Sequence, residues 1–176
     1  MLDYKIHKIE FSDIDLILDV YRDGVPNSGH NIDNPNNVRT DMNTYNSFLV
    51  NGTTFFCDTN NKKLLDVIEK NLEFEKDVYI SNIHYIKYGI GNRAVKHHDL
   101  PSSIRTYIFM LADDFKGGEF ILENKNIDLK KGDVLEFNGA LKHEVKKITE
   151  GIREVLVIWT SRNKNLINEK KEKTLF

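Results

Sequence analysis

In the stretch AVKHHDLPSS, His97 and Asp99 stand two residues apart, a spacing that extended backbone turns into a shared face. A neutral imidazole and a carboxylate on one face can grip a divalent metal together. With a second histidine from elsewhere they would complete the 2-His-1-carboxylate arrangement that holds Fe(II) and leaves coordination positions open. His98 then projects the other way. On its own the tripeptide says little, because a chain with six histidines and many aspartates produces His-x-Asp by chance, and a solvated loop pair explains it equally well.

The partners have to come from downstream. His143, in ALKHEVKKI, is the only histidine after Asp99, although many half-buried strand histidines simply hydrogen-bond the backbone. Arg153 begins REVLVIW, the most apolar run of the chain, and on a strand it shares its face with Val155, Val157 and Trp159. A guanidinium opening an otherwise apolar row needs an anion. In DVYISNIHYIKYG the alternation places Asn82, His84, Ile86 and Tyr88 on one face and Ser81, Ile83 and Tyr85 on the other. His84 is thereby a candidate, with Trp159, for the lining of a substrate pocket; the commoner role of such a histidine is a satisfied or solvent-facing one.

Residues 1–76 read as support for these groups. FSDIDLILDVYRDG offers Ser12 as N-cap with Asp15 three residues on, apolar Ile14, Ile17, Leu18 and Tyr21 at helical spacing, and Gly24 as a stop. NNKKLLDVIEKNLEFE repeats Leu64, Leu65, Ile68 and Leu72 as a second amphipathic helix. Between them, residues 25–46 are dense in Asn, Asp, Gly and Pro, and read as a long loop able to act as a lid. From residue 77 the period becomes alternating. Short apolar runs (SIRTYIFMLAD, GGEFIL, DVLEF, KHEVKKI, REVLVIW) separated by turn residues predict an antiparallel sandwich or jelly roll over 77–161, and 162–176 reads as a charged tail.

Composition narrows the partners. At 176 residues the chain fits one domain, and 40% hydrophobic with 30% charged residues is an ordinary globular balance. A net charge of −2 offers no global attraction to nucleic acid or to an anionic membrane. No apolar run is long enough to span a bilayer. Cys57 is the only cysteine, so an intrachain disulfide and a thiolate cluster are both excluded; a reducing cytoplasm suits the chain. Nothing in the sequence sets an oligomeric state.

Taken in order, Tyr88-x-x-Gly91, His97-x-Asp99, RTYIFML, Gly117-Gly118-Glu119-Phe120, Gly132-Asp133, His143-Glu144-Val145, Gly151-x-Arg153 and Trp159 resemble the Fe(II)/2-oxoglutarate-dependent dioxygenases. The prolyl 4-hydroxylase-like branch is the nearest match, over roughly residues 77–161. The resemblance implies a mainly β fold with N-terminal helices, a double-stranded β-helix (jelly roll) packed against them. It implies His97, Asp99 and His143 as iron ligands, and Arg153 on the distal carboxylate of 2-oxoglutarate with Tyr88, helped by Thr106. His98 is then a bystander and Gly117-Gly118 a structural turn. Fe(II), 2-oxoglutarate as cosubstrate and O2 would be required, with ascorbate as an optional addition. The substrate class it implies is a prolyl residue of a protein or peptide, with small molecules left open. Asp99 itself argues for hydroxylation, since halogenating relatives lack that carboxylate. The sequence departs from the branch at Met110, where many relatives carry a second tyrosine.

Two alternatives of other classes stand beside this one. A cupin-like metalloenzyme on the same architecture would keep histidine ligands but need no deep arginine. A non-catalytic sugar- or peptide-binding jelly roll would leave the histidines incidental.

Overall fold

The structure, a computed structural model, describes residues 2–22, 38–40, 50–51, 53–57, 61–101 and 103–162. It is mainly β, with two helices, α1 (Phe11–Arg22) and α2 (Lys62–Asn71). Strands are numbered in chain order. A large sheet runs β1 (Tyr4–Lys8), β11 (Asp133–Asn138), β7 (Arg105–Met110), β14 (Arg153–Ser161), β5 (Tyr79–Tyr88), β4 (Thr53–Cys57) and β2 (Val38–Thr40). A small sheet runs β10 (Lys125–Ile127), β9 (Phe120–Leu122), β12 (His143–Val145), β6 (Arg93–His97) and β3 (Val50–Asn51), and β13 (Ile148–Glu150) pairs with β8 (Lys116–Gly117). The paired strands are antiparallel.

Strand β14 shows why its run is apolar throughout. Val155 and Val157 join a core shared with Ala94, Leu122 and Val145 of the small sheet. Leu156 and Ile158 join a second core with Ile14 and Ile17 of α1 and Leu64 and Ile68 of α2. A central strand covered on both faces loses the polar half of its alternation. Each of those four helix side chains is fully buried, contributing about 1.5–3 kcal/mol. The helices are thereby locked onto one face of the large sheet and leave its other face to the site.

Several boundaries differ from the sequence reading. The first helix starts at Phe11, with the Glu10 carbonyl accepting from the backbone N–H of Asp13 (3.0 Å) and Ile14 (3.3 Å). Ser12 therefore lies inside the first turn and is not the cap. Asp13 is buried, accepting from Lys70 (2.8 Å) and Asn71 (3.0 Å) of α2, so a tertiary ion pair occupies the turn where a local capping box was expected. In α2, Asn61 is the cap, its side chain accepting from Leu64 N–H at 3.1 Å.

The segment read as helical support also contains β1 to β4. Strand β1 escaped notice because it is a largely exposed edge strand, rich in polar residues, whose pairing with β11 is backbone hydrogen bonding that apolar periodicity does not report. KHEVKKI, read as one strand, breaks at Lys146 and Lys147: β12 belongs to the small sheet, while β13 turns away to β8. Of the expected lid 25–46, only 38–40 is described, as strand β2; the rest, the helix stop at Gly24 and the tail beyond Arg162 lie outside the described residues. Among the described residues no helix is long and apolar enough to cross a membrane.

Candidate metal centre

The register of the small sheet sets His143 directly opposite His97, with ring centroids 4.3 Å apart. His97 ends β6, so Asp99 is not itself on the strand. Its loop docks on the β11–β12 turn instead, the backbone N–H groups of Asp99 (2.8 Å) and Leu100 (3.2 Å) both donating to the Gly139 carbonyl. The expected alternation holds in outcome: His98 is exposed, while His97 and Asp99 turn inward.

One ligand atom from each of His97, Asp99 and His143 lies within 4.8 Å of the others. Nε2 of His97 is 3.7 Å from Asp99 Oδ1, and Nε2 of His143 is 3.7 Å from Oδ2, both beyond hydrogen-bond reach. The far ring nitrogens explain the aim. Nδ1 of His97 is 2.6 Å from the Val95 carbonyl and Nδ1 of His143 is 3.0 Å from the Leu141 carbonyl. A carbonyl only accepts, so each Nδ1 carries the proton and each Nε2 lone pair faces the aspartate. Burial, with His97 nearby, holds His143 below the usual imidazole range against the opposing pull of Asp99, which favours the neutral, metal-ready form. The site thus meets the donor requirement of a divalent metal: two imidazole lone pairs and a carboxylate on a common centre.

Arg153 and Tyr88 are register partners across β14 and β5, on the same side of the large sheet. Arg153 is only 2% exposed, and its guanidinium carbon stands 5.3 Å from the Tyr88 ring centroid. Burial presses its pKa below the arginine range, Tyr88 opposing; burial likewise pushes the Tyr88 hydroxyl up to about 12. Among the described residues, Nη2 of Arg153 is buried without a hydrogen-bond partner. Such an atom is costly unless a ligand satisfies it, which fits a carboxylate-bearing cosubstrate.

One cavity of about 390 Å³, counting its open mouth, is walled by His97, Asp99, His143, Thr106, Tyr88, Arg153 and Trp159, with Ile108, Phe120 and Val157 supplying apolar surface. A larger cleft of about 810 Å³ adjoins it across Phe120 and Arg153, but its rim cations Lys116 and Lys130 are paired with Glu150 (2.7 Å) and Asp128 (2.8 Å).

Two expected residues have partners that the sequence reading did not name. Thr106 was read as a helper of Tyr88, yet its hydroxyl donates to Asp99 Oδ2 at 2.5 Å. His84 is buried beside Asn82 (2.8 Å) and edge-on to the cavity residue Trp159 (centroids 4.6 Å), which it buttresses. The sequence reading also missed residues that shape the site. Phe120 and Phe137 flank the His143 ring, at 5.7 and 4.8 Å between centroids. A Cβ on Gly118 would stand 3.2 Å from Arg153 Cδ and 2.4 Å from Ile148 Cδ1, so this glycine, at φ +68°, makes room for the arginine stem. The Gly-Gly-Glu-Phe motif marked the glycine; nothing in sequence told which side chain it accommodates.

No protein-family model matches the chain, and no curated protein matches it in sequence. Solved structures do. The chain is similar to a prolyl hydroxylase from Trichoplax adhaerens in complex with a hypoxia inducible factor oxygen degradation domain peptide fragment (TM-score 0.64, 16% identity, 96% of this chain and 87% of that one). It is similar to a viral collagen prolyl hydroxylase from Paramecium bursaria Chlorella virus-1 in a 2OG complex (TM-score 0.63, 12% identity, 89% and 94%). The fold is the one these enzymes share. The non-heme α-ketoglutarate-dependent epimerase SnoN from nogalamycin biosynthesis shares it too (TM-score 0.58, 10% identity, 91% and 78%), so the fold leaves the reaction to the site.

Proposed function

We propose that the chain is an Fe(II)/2-oxoglutarate-dependent dioxygenase of the prolyl 4-hydroxylase-like type, a single domain over residues 1–176 whose core is a double-stranded β-helix. Its reaction is hydroxylation of a C–H bond, with a prolyl residue of a protein or peptide as acceptor. One observation carries the reading: Arg153, deeply buried and without a partner for Nη2 among the described residues, lines the same cavity as the convergent His97, Asp99 and His143. A cupin-like enzyme or a binding module gives that orphaned cation no anion.

When bound, the iron with 2-oxoglutarate and O2 supplies oxidation of a C–H bond coupled to decarboxylation of the cosubstrate to succinate and CO2. The chain's own part is positional. His97 and His143 offer Nε2 lone pairs fixed by their backbone bonds, and Asp99 adds the anionic ligand. Arg153 takes the distal carboxylate of 2-oxoglutarate by charge and by its forked geometry, beside Tyr88. Ile108, Val157 and Trp159 keep the cavity wall apolar, which shields a reactive centre from water. The peptide seated on the Trichoplax enzyme supports a polypeptide acceptor for this chain.

Anaerobic addition of Fe(II) and 2-oxoglutarate together should produce a visible charge-transfer band that neither produces alone. Air, with or without ascorbate, should then release succinate. Mass spectrometry of a peptide panel should find a gain of one oxygen on proline. No band and no succinate under any panel would return the chain to the cupin-like or binding-module readings.

A further inference from the structure

We propose that Thr106 is a positioning residue for the metal centre: its hydroxyl, by donating to Oδ2, fixes the plane of the Asp99 carboxylate between the Nε2 atoms of His97 and His143. This rests on the metal-centre reading above.

The direction of the protons carries the argument. Ser103 is fully buried; its hydroxyl donates to the Arg105 carbonyl at 2.6 Å and accepts from the Thr160 N–H at 3.1 Å. Thr106, 1% exposed, has one proton and two oxygen neighbours, Asp99 Oδ2 at 2.5 Å and Ser103 Oγ at 3.4 Å. The short contact to a carboxylate takes the proton. Thr106 stands on β7 between Trp159 of β14 and Phe137 of β11. A buried hydroxyl is retained at a cost unless it is bonded, and its bond is to Asp99.

The carboxylate's backbone is held as tightly. Ser103 N–H closes a turn onto the Asp99 carbonyl at 3.0 Å, and Gly139 N–H donates to Ile104 at 3.0 Å. A Cβ on Gly139 would fall 2.1 Å from the Ser103 carbonyl oxygen, so loop and turn meet backbone to backbone only because residue 139 is glycine.

The test is titration of the whole chain with Co(II), followed by visible d–d absorption, beside thermal melts in EDTA. Thr106→Ser should reproduce the wild-type spectrum and affinity. Thr106→Val should bind Co(II) roughly tenfold to a hundredfold more weakly, the usual effect of losing an outer-shell partner. It should also show altered d–d bands, because the Asp99 carboxylate is then free to turn. If valine prevents folding, Thr106→Ala removes the hydroxyl without that shape and must show the same change. A hydroxyl-free variant with wild-type Co(II) affinity and spectrum, whatever its melting temperature in EDTA, overturns the proposal. Failure of the wild-type chain itself to bind Co(II) or Fe(II) overturns the metal reading as well, so the two failures are distinct.

Discussion

Arg153→Met should move stability and cosubstrate affinity in opposite directions. Among the described residues, the buried Nη2 of the guanidinium has no hydrogen-bond partner. An unsatisfied buried donor of a charged group costs about 2–3 kcal/mol. The contact with the Tyr88 ring, at 5.3 Å, offsets about 1–2 kcal/mol of that. Methionine occupies similar space with neither effect, so the unliganded variant should be more stable by about 1 kcal/mol, or roughly 2–4 °C in Tm at this chain length. With 2-oxoglutarate the sign reverses. Deleting one partner of a buried charge pair costs about 2–5 kcal/mol, so affinity should fall roughly 30-fold to several thousand-fold. The assay is thermal melting in carboxylate-free buffer with redox-silent Mn(II), across a 2-oxoglutarate titration. Wild type should gain Tm with cosubstrate and the variant should not, while Arg153→Lys falls between because it restores charge without the fork. A variant that melts below wild type in the absence of ligand, or that keeps the 2-oxoglutarate shift, refutes the reasoning.

Three further outcomes follow from the same geometry. His98→Ala should keep metal binding within a few fold, since that side chain is exposed, whereas His97→Ala should abolish it; equal losses in a Co(II) titration would place the metal on the other face. Gly118→Ala should cost about 1–2 kcal/mol from its left-handed backbone and, by crowding the Arg153 stem, weaken 2-oxoglutarate about tenfold, both read from melts with and without cosubstrate. For Asp13, burial alone would raise the carboxyl, but hydrogen bonds from Lys70 and Asn71 outweigh it and hold the pKa below the usual carboxylate value. Asp13→Asn should therefore cost about 1–3 kcal/mol at neutral pH. Because a lowered folded pKa gives stability that is complete above the unfolded value and lost as pH falls through the folded one, the gap in urea midpoints should hold down to about pH 5 and close below about pH 4.

The donor types of the candidate site could be read from sequence alone. His97-x-Asp99 and His143 offer two imidazoles and a carboxylate, Arg153 opens an apolar run, and both the change of period at residue 77 and the two apolar helical faces are local patterns. The partnership of Thr106 was not legible. Its spacing from Tyr88 and from Asp99 is compatible with either role, and only the docking of Asp99, Leu100 and Ile104 onto Gly139 brings its hydroxyl to Oδ2. The place of His84 beside Trp159 depends in the same way on the pairing of β5 with β14. Strand β1 is visible only through its partner β11, because an exposed edge strand is held by backbone bonds that leave little mark on side-chain pattern. Donor chemistry and periodicity are properties of a few neighbouring residues and can be read along the chain. Which hydroxyl meets which carboxylate, and which glycine admits a second backbone, is set by sheet register and close approach between segments far apart in sequence, and exists only once the tertiary structure has formed.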